Sequence, residues 1–227
     1  MPLYLLPNMF DEKQDSHLLL PEGLRELIAT VDGLIAERER TGRRYVIKMG
    51  HPNARNMPIY VLNEHTRDFS DITDLIAQGR TLGLISDAGM PGVADPGSEL
   101  VTALRKRGVT DIKAIPGPSS ILLALVLSGL GGQNFAFHGY LPRESEKRRQ
   151  VLKRLEHIQK QTHIFIETPY RNNVFFHDCC AILSPSTQLC IASQLTFPDE
   201  SVRVQAIREW KKISEIAKIP TVFLFRS

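Results

Sequence analysis

Short apolar runs alternate with amphipathic segments along the whole chain, and this alternation constrains the fold more than any other feature. Apolar runs such as residues 3–6 and 82–86 have the length of buried strands, whereas segments such as residues 145–158 carry apolar residues at helical spacing. This alternation predicts two α/β layers, with a mostly parallel sheet in the first half. Two adjacent strand candidates, residues 189–194 and 202–207, predict a mixed sheet in the second half.

The chain length and its Gly/Pro punctuation predict two domains. A chain of 227 residues accommodates two domains of about 110 residues each. The Pro-Gly-Pro corner around Gly117 and the Gly-rich residues 129–132 are the best places for a boundary. The boundary at the corner predicts an N-terminal α/β domain over residues 1–116 and a C-terminal α/β domain over residues 117–227.

Composition excludes several protein classes. No apolar run reaches the roughly 18–20 residues that span a bilayer, and the N-terminus lacks the pattern of a signal peptide. The three cysteines show no CxxC or Cys/His metal spacing, which favours a reducing, cytoplasmic location with no metal site and no membrane. We expect all three thiols to be small buried side chains. The net charge of +3 neither requires nor excludes nucleic acid.

Several common active-site motifs are absent. The chain has no G-x-G-x-x-G after its first strand and no G-x-x-x-x-G-K-[ST], which argues against a dinucleotide-binding Rossmann fold and a P-loop NTPase. It also has no G-x-S-x-G, so there is no nucleophile elbow of an α/β-hydrolase.

The segment LISDAGMPGVADPG, residues 84–97, is the strongest functional signal. Three glycines, two prolines and two aspartates directly follow an apolar strand. In open α/β sheets, ligands bind beyond the carboxyl ends of strands, and glycine allows the backbone to approach them. We therefore predict that Asp87 offers an acceptor to a ligand and that Asp95 caps the next helix. The structural alternative is a tight turn.

A second loop follows the next predicted strand. The segment IPGPSS, residues 115–120, places Ser119 and Ser120 at the start of an apolar helix, where free N–H groups suit an anion. Ordinary helix capping explains these serines equally well when the loop is taken alone. Two such loops after parallel-type strands predict a shared cleft.

Four motifs in register identify the chain as similar to the tetrapyrrole-methylase-like superfamily. LISDAGMPGVADPG, IPGPSS, GYLPRESEKRRQVL and IFIETPYR follow one another over about residues 80–175. They resemble the branch that 2′-O-methylates a cytidine of small-subunit ribosomal RNA. The family opens with a Pro/Gly loop, often PTPIGNL, whereas this chain reads LPNMFDE and has no glycine there.

The resemblance implies an S-adenosylmethionine-dependent methyltransferase that forms homodimers and binds its cofactor in a cleft between two α/β domains. The implied cofactor-binding residues are Pro7, Asn8, Met9, Asp87, Met90, Ser119, Ser120, Ile121, Gln194, Leu195, Pro220 and Thr221.

The implied reaction is in-line methyl transfer to a ribose hydroxyl of ribosomal RNA. A hydroxyl nucleophile must lose its proton, and Glu37, Glu64 and His65 are the candidates for that role. Each of them is otherwise a solvated surface residue. Three alternatives stay open: methylation of a small cyclic, tetrapyrrole-like molecule, a non-catalytic S-adenosylmethionine-binding relative, and a nucleotide-phosphate-binding protein.

A basic segment predicts either an RNA contact or a solvated helix face. Its six cationic residues are Arg143, Lys147, Arg148, Arg149, Lys153 and Arg154. They could follow RNA phosphates, although neighbouring glutamates partly neutralise them. Tyr170 is a candidate for base stacking, whereas the single tryptophan, Trp210, is expected in the core.

Overall fold

The computed structural model describes residues 2–11, 14, 16–210 and 212–227. The chain forms two compact units, one ending at Ser119 and the other beginning at Ser120. The boundary predicted from the sequence lies at residues 116–117.

The first unit is built on a five-stranded parallel sheet. Its strands are β1 (Leu3–Leu5), β2 (Gly33–Ala36), β3 (Ile59–Val61), β4 (Leu82–Leu84) and β5 (Ile112–Ala114), in the order β3-β2-β4-β1-β5. Every pairing is parallel. The helices are α1 (Ser16–Leu19), α2 (Leu24–Ile28), α3 (Glu39–Met49), α4 (Ser70–Ala77) and α5 (Gly97–Lys106).

Alternating side chains of the strands pack into cores on both faces of this sheet. Leu34 belongs to a cluster with Ile28 of α2 and Val46 of α3. Its neighbour Ile35 belongs to a second cluster, which includes Leu100 of α5. Helices therefore cover both faces, which explains why the strands are almost entirely apolar.

The second unit is a five-stranded mixed sheet, as predicted. Its strands are β6 (Phe135–Phe137), β7 (Thr162–Glu167), β8 (Gln188–Ser193), β9 (Ser201–Ala206) and β10 (Thr221–Arg226), in the order β6-β7-β10-β8-β9. Only the β6–β7 pairing is parallel among these four pairings. The helices are α6 (Ser120–Ser128), α7 (Ser145–Glu156), α8 (Asn172–Ile182) and α9 (Ile207–Trp210), with a 3₁₀ turn at Pro169–Arg171 before α8.

The core of the second unit also lies on both faces of its sheet. Phe223 packs with residues of α7, α8 and α9, whereas Leu224 packs with residues of α6. Trp210 lies in the core as predicted, with its indole N–H donating to the carbonyl of Leu189 at 2.9 Å. The three cysteines are buried, as expected, and burial raises the pKa of Cys190 to about 12.

Two predicted helices are shorter than their apolar spacing indicates. The apolar spacing of residues 21–31 predicts one helix, but Gly23 has φ 84°, so the helix begins at Leu24. The spacing of residues 209–216 predicts another, but that helix ends at Trp210. There the Asn173 side chain accepts from the Ile216 N–H at 2.7 Å and donates to its carbonyl at 3.1 Å, replacing helical bonds.

Candidate functional site

Three loops meet at the carboxyl ends of the adjacent strands β4, β1 and β5. Gly117 contacts Pro7 so closely that an added Cβ would lie 2.0 Å from the Pro7 Cβ and 3.3 Å from the Met90 Sδ. The predicted cofactor-binding residues Pro7 and Met90 are therefore brought together at the sheet edge where α/β proteins bind ligands.

Asn8 connects the first loop, residues 6–11 after β1, to the Gly-rich loop, residues 84–97 at the end of β4. Its side-chain amide donates to the carbonyls of Ser86 at 3.0 Å and Asp87 at 3.2 Å. Its backbone exchanges hydrogen bonds with Gly89, at 2.8 and 3.1 Å. Its Oδ1 accepts from the N–H of Met9 at 2.9 Å. Asn8 thus holds the two loops together, and the Met9 side chain is buried.

Tyr45 holds the first loop in place through a hydrogen bond to its backbone, a contact that no sequence pattern signals. Its buried hydroxyl donates to the Pro7 carbonyl at 3.0 Å. Burial raises the pKa of Tyr45 far above its ordinary value, so the hydroxyl stays protonated and remains a donor. Tyr45 lies on α3, where the sequence signals only a core position.

Asp87 presents an acceptor that nothing in the described chain uses. Its Oδ2 lies 3.6 Å from the Arg38 Nη2, whereas its Oδ1 is buried and accepts no hydrogen bond. A buried acceptor without a donor is costly, and a ligand hydroxyl or amino group would relieve that cost. Asp87 is therefore suited to the ligand contact predicted for it.

Asp95 shapes the remainder of the Gly-rich loop. Its carboxylate accepts from the N–H of Gly92 at 2.9 Å and from that of Gly97 at 2.7 Å. The second bond reaches the first residue of α5, but the N-cap residue of that helix is Pro96, so Asp95 lies one position before the N-cap role predicted for it. Burial raises the pKa of Asp95, whereas the hydrogen bonds from Gly92 and Gly97 oppose that shift.

The three general-base candidates occupy different surroundings. The Glu37 carboxylate accepts from the Asp87 N–H at 3.2 Å, and burial raises its pKa. Glu64 and His65 follow β3 at the edge of the sheet, have side chains 84% exposed, and lie 3.6 Å apart. Of these three candidates, only Glu37 makes a hydrogen bond to the Gly-rich loop within the part of the chain that the structure describes.

The second unit brings its own predicted residues together. The Gln194 N–H donates to the Pro220 carbonyl at 3.0 Å, and Thr221 pairs with Ser193 across β10 and β8. Leu195 packs with Ile121 of α6 in one buried cluster. Ser120 begins α6, and Ser119 is the last residue of the first unit.

The backbone after β8 is strained. Gln194 has φ 52° and Thr196 has φ 71°, in the left-handed region that a β-branched residue rarely adopts. The Glu200 carboxylate accepts from the Thr196 N–H at 2.7 Å. Strained backbone of this kind clusters at functional sites, which directs attention to Gln194.

The basic segment contains a structural arginine. Arg148 is 1% exposed, and its Nε donates to Asp178 at 2.6 Å. Arg148 is therefore no candidate for RNA contact, since its side chain is buried and bonded to Asp178 inside the unit. Arg143, Lys153 and Arg154 are exposed, while Arg149 is bound to Asp178 at 2.6 Å.

The profile of the family described as Tetrapyrrole (Corrin/Porphyrin) Methylases matches residues 16–210. The chain belongs to this family. The match includes the Gly-rich loop, the Pro-Gly-Pro corner and the whole segment from α6 to α9.

Curated proteins of one name resemble the chain over much of its length. A protein of Halalkalibacterium halodurans named ribosomal RNA small subunit methyltransferase I is 42% identical over 134 residues, which is 59% of this chain and 45% of that protein. Proteins of the same name from Vibrio cholerae and Escherichia coli O157:H7 are 29% and 30% identical, covering 91% and 94% of this chain and 69% and 73% of theirs. The chain thus spans less than half of the first of these relatives and about 70% of the other two.

Solved structures share the fold. The methyltransferase CobJ superposes with a TM-score of 0.65 at 18% identity, covering 100% of this chain and 92% of that chain. Uroporphyrin-III C-methyltransferase from Thermus thermophilus, solved with S-adenosyl homocysteine, superposes with a TM-score of 0.62 at 15% identity, covering 100% and 98%.

The described residues show neither a membrane-spanning helix nor a metal centre. No described helix is both long and apolar enough to cross a membrane. The same residues contain no group of three or more His, Cys, Asp or Glu side chains placed to hold a metal ion.

Proposed function

We propose that this chain is an S-adenosylmethionine-dependent methyltransferase that acts in the cytoplasm on a ribose 2′-hydroxyl of small-subunit ribosomal RNA. The observation that carries the proposal is the meeting of three loops at the carboxyl ends of β4, β1 and β5, with the buried Oδ1 of Asp87 left as an open acceptor. Three relatives named ribosomal RNA small subunit methyltransferase I support the RNA substrate.

The residues at the carboxyl ends of β4, β1 and β5 are suited to binding S-adenosylmethionine. Bound there, the cofactor would supply a methyl group that its sulfonium already activates. The Oδ1 of Asp87 would accept a hydrogen bond from a hydroxyl or amino group of the cofactor. Pro7 and Met90 would form an apolar wall, and Gly117 would let the two loops approach. The protein's main contribution would be alignment and exclusion of water.

Glu37 is the best-placed general base. A ribose hydroxyl needs a nearby acceptor for its proton, and a carboxylate works best when its pKa is raised toward the working pH. Burial raises the pKa of Glu37, and its bond to the Asp87 N–H holds it beside the Gly-rich loop. The exposed pair Glu64 and His65 follows β3, the outermost strand of the sheet, and would accept a proton only from a substrate that extends past that strand.

Exposed cations on α7 and the loop before it are the proposed RNA contact. Arg143, Lys153 and Arg154 are exposed, so they can reach phosphates. Exposed Tyr170 is available to stack on a base. RNA affinity should therefore fall as salt concentration rises, and a flat salt dependence would count against this contact.

We propose that the active form is a homodimer, as the family resemblance implies. Exposed apolar side chains on α6, Val126 above all, give a surface on which to test it. Light scattering of the wild type should give twice the chain mass. A monomeric mass at assay concentration would refute the dimer.

The deciding experiment incubates the purified protein with methyl-labelled S-adenosylmethionine and undermethylated small ribosomal subunits. Label in the RNA supports the proposed function, and nuclease mapping then tests for a 2′-O-methylated ribose. Label in an added tetrapyrrole alone would favour the small cyclic substrate. Cofactor binding without transfer would favour a non-catalytic relative, and absence of binding would refute the cofactor assignment.

The Asp87→Ala substitution tests the site itself. Loss of a hydrogen bond to a charged group, about 1.5–3 kcal/mol, should weaken S-adenosylmethionine binding roughly 10- to 150-fold in calorimetry. Asp111→Ala is the matched control, because that exposed carboxylate pairs with Lys113 at 3.4 Å at the amino end of β5. Equal affinities in Asp87→Ala and the wild type would remove Asp87 from the site.

A further inference from the structure

Asn172 is a fully buried amide at the start of α8, directly after the IETPYR motif. Its Nδ2 lies 2.8 Å from the Ile219 carbonyl, 3.2 Å from the Ala217 carbonyl and 3.2 Å from the Thr221 hydroxyl. All three partners lie in or next to the turn that leads into β10. One side chain thus ties this turn to α8, a helix whose Phe175 and Phe176 lie in the core.

The bonds around Thr221 run in one direction. The Thr221 hydroxyl donates to the Ile219 carbonyl at 2.9 Å, so its oxygen is free to accept from the Ser193 hydroxyl, also at 2.9 Å. The Asn172 amide donates to the same Ile219 carbonyl. The turn is therefore held from α8 by Asn172 and from β8 by Ser193.

This turn holds Pro220 and Thr221, two of the residues that the family resemblance predicts to bind the cofactor. Pro220 lies between Ile219 and Thr221, and its carbonyl accepts from the Gln194 N–H at 3.0 Å. Because Asn172 holds Ile219, it sets the position of Pro220. That position in turn determines where the strained residue Gln194 lies.

We propose that Asn172 is a positioning residue for S-adenosylmethionine binding, acting by fixing residues 217–221 and, through Pro220, Gln194. The inference rests on the proposed function, because it assumes that Gln194, Pro220 and Thr221 face the cofactor. Asn172 itself does not contact the cofactor. The Asn172 Nδ2 must donate, so its replacement by a group of the same shape without that donor should disturb the site.

Asn172→Asp provides that test, with Asn173→Asp as its matched control. Both substitutions remove an amide donor, and the two residues are adjacent in α8. The side-chain hydrogen bonds of Asn173 within the described residues go to Ile216, which lies four residues before Pro220. Calorimetry at pH 7.5 should show Asn172→Asp binding S-adenosylmethionine about tenfold more weakly or worse, since the carboxylate would face two carbonyls. Asn173→Asp should stay within about twofold of the wild type.

A pH series separates positioning from loss of folding. When it is protonated, the carboxyl group introduced by Asn172→Asp regains one O–H donor. The affinity of this variant should therefore recover between pH 7.5 and pH 5.5, while the wild type and Asn173→Asp show no such gain. In kinetics, KM for S-adenosylmethionine should rise while kcat at saturating cofactor stays within about twofold. Circular dichroism checks the fold at each pH.

Each outcome bears on a different claim. A folded Asn172→Asp that binds within twofold of the wild type at both pH values would overturn the role of Asn172 alone. A wild type that binds no S-adenosylmethionine would overturn the proposed function and this inference with it. If Asn172→Asp does not fold at pH 7.5, Asn172→Ala, which also removes the donor, is measured in its place, and binding within twofold of the wild type would overturn the role of Asn172.

Discussion

Replacing Asp178 with alanine should destabilise the second unit strongly, because it would leave a buried guanidinium without its counterion. The Asp178 side chain is 3% exposed and that of Arg148 is 1% exposed. The Arg148 Nε donates to Asp178 at 2.6 Å, and its Nη1 donates to the carbonyls of Pro142 and Arg143 at 2.9 and 2.8 Å. After the substitution these two carbonyls alone would face the charge.

The structure sets the size of the effect. Breaking a buried ion pair by removing one partner costs about 3–5 kcal/mol. For a chain of this length each kcal/mol lowers the unfolding midpoint by about 2–4 °C, so the expected decrease is about 6–20 °C. Arg149→Ala should cost no more than about 1 kcal/mol, because its side chain is 44% exposed although it bonds the same carboxylate.

Urea denaturation measures the loss of unfolding free energy in Asp178→Ala and Arg149→Ala, and thermal denaturation measures the decrease of the midpoint; circular dichroism follows both. The double variant Arg148→Met/Asp178→Leu should be more stable than Asp178→Ala, because it leaves no charge buried. A cycle of the single and double variants at these two positions then yields their coupling. A loss below about 1 kcal/mol for Asp178→Ala would refute the argument, since it would mean that the Arg148 guanidinium reaches water without its partner.

Three further predictions follow from the loops and the core. Tyr45→Phe should destabilise the first unit by about 1 kcal/mol, because the Pro7 carbonyl loses its donor, and should weaken cofactor affinity in the same calorimetric assay. Gly117→Ala should cost about 1–3 kcal/mol in denaturation, because its Cβ would overlap Pro7; an unchanged midpoint would refute the close contact. His138 and His163 lie 3.0 Å apart, and burial lowers the pKa of both side chains below the ordinary 6.5. Their contribution to the free energy of unfolding should therefore be fully present above pH 6.5. It should be lost at lower pH, because these histidines take up protons in the unfolded chain before they do so in the folded one. Denaturation between pH 5 and 7.5 should show a steeper decline in the wild type than in a His138→Gln/His163→Gln variant.

The alternation of elements was predictable because most strands and helices agree with their local pattern. The apolar run at residues 82–86 contains the buried strand Leu82–Leu84, and the apolar run after the Pro-Gly-Pro corner forms the helix Ser120–Ser128. The shortened α9 was not predictable, because Ile213 and Ile216 have helical spacing yet pack against the core from a loop. The amide of Asn173 replaces the helical bonds there, and nothing local signals that contact.

In the candidate site, too, features with a local sequence pattern were predictable, and features that depend on distant contacts were not. The loop that carries Asp87 and Met90 was predictable, because a Gly-rich segment after a strand is a local pattern, while their contact with a cofactor stays a prediction. The hydrogen bonds of Tyr45 and Asn172 were not predictable, because each reaches a distant backbone carbonyl while its own segment resembles an ordinary core helix. Arg148 was grouped with the candidate RNA-contacting cations for the same reason, because the carboxylate that binds it lies 30 positions away in the sequence.

The missing glycine of the first loop is weaker support for a non-catalytic relative than the sequence alone indicates. Glycine is required where φ is positive or where another group approaches too closely for a side chain. Residues 2–11, all described, contain no positive φ. The close approach is instead made from the other side, by Gly117 against Pro7. Asn8 supplies the bonds that hold the first loop to the Gly-rich loop. The backbone of this loop therefore needs no glycine, and the proposal of methyl transfer rests on the unused acceptor of Asp87 and on Glu37 as the proposed base.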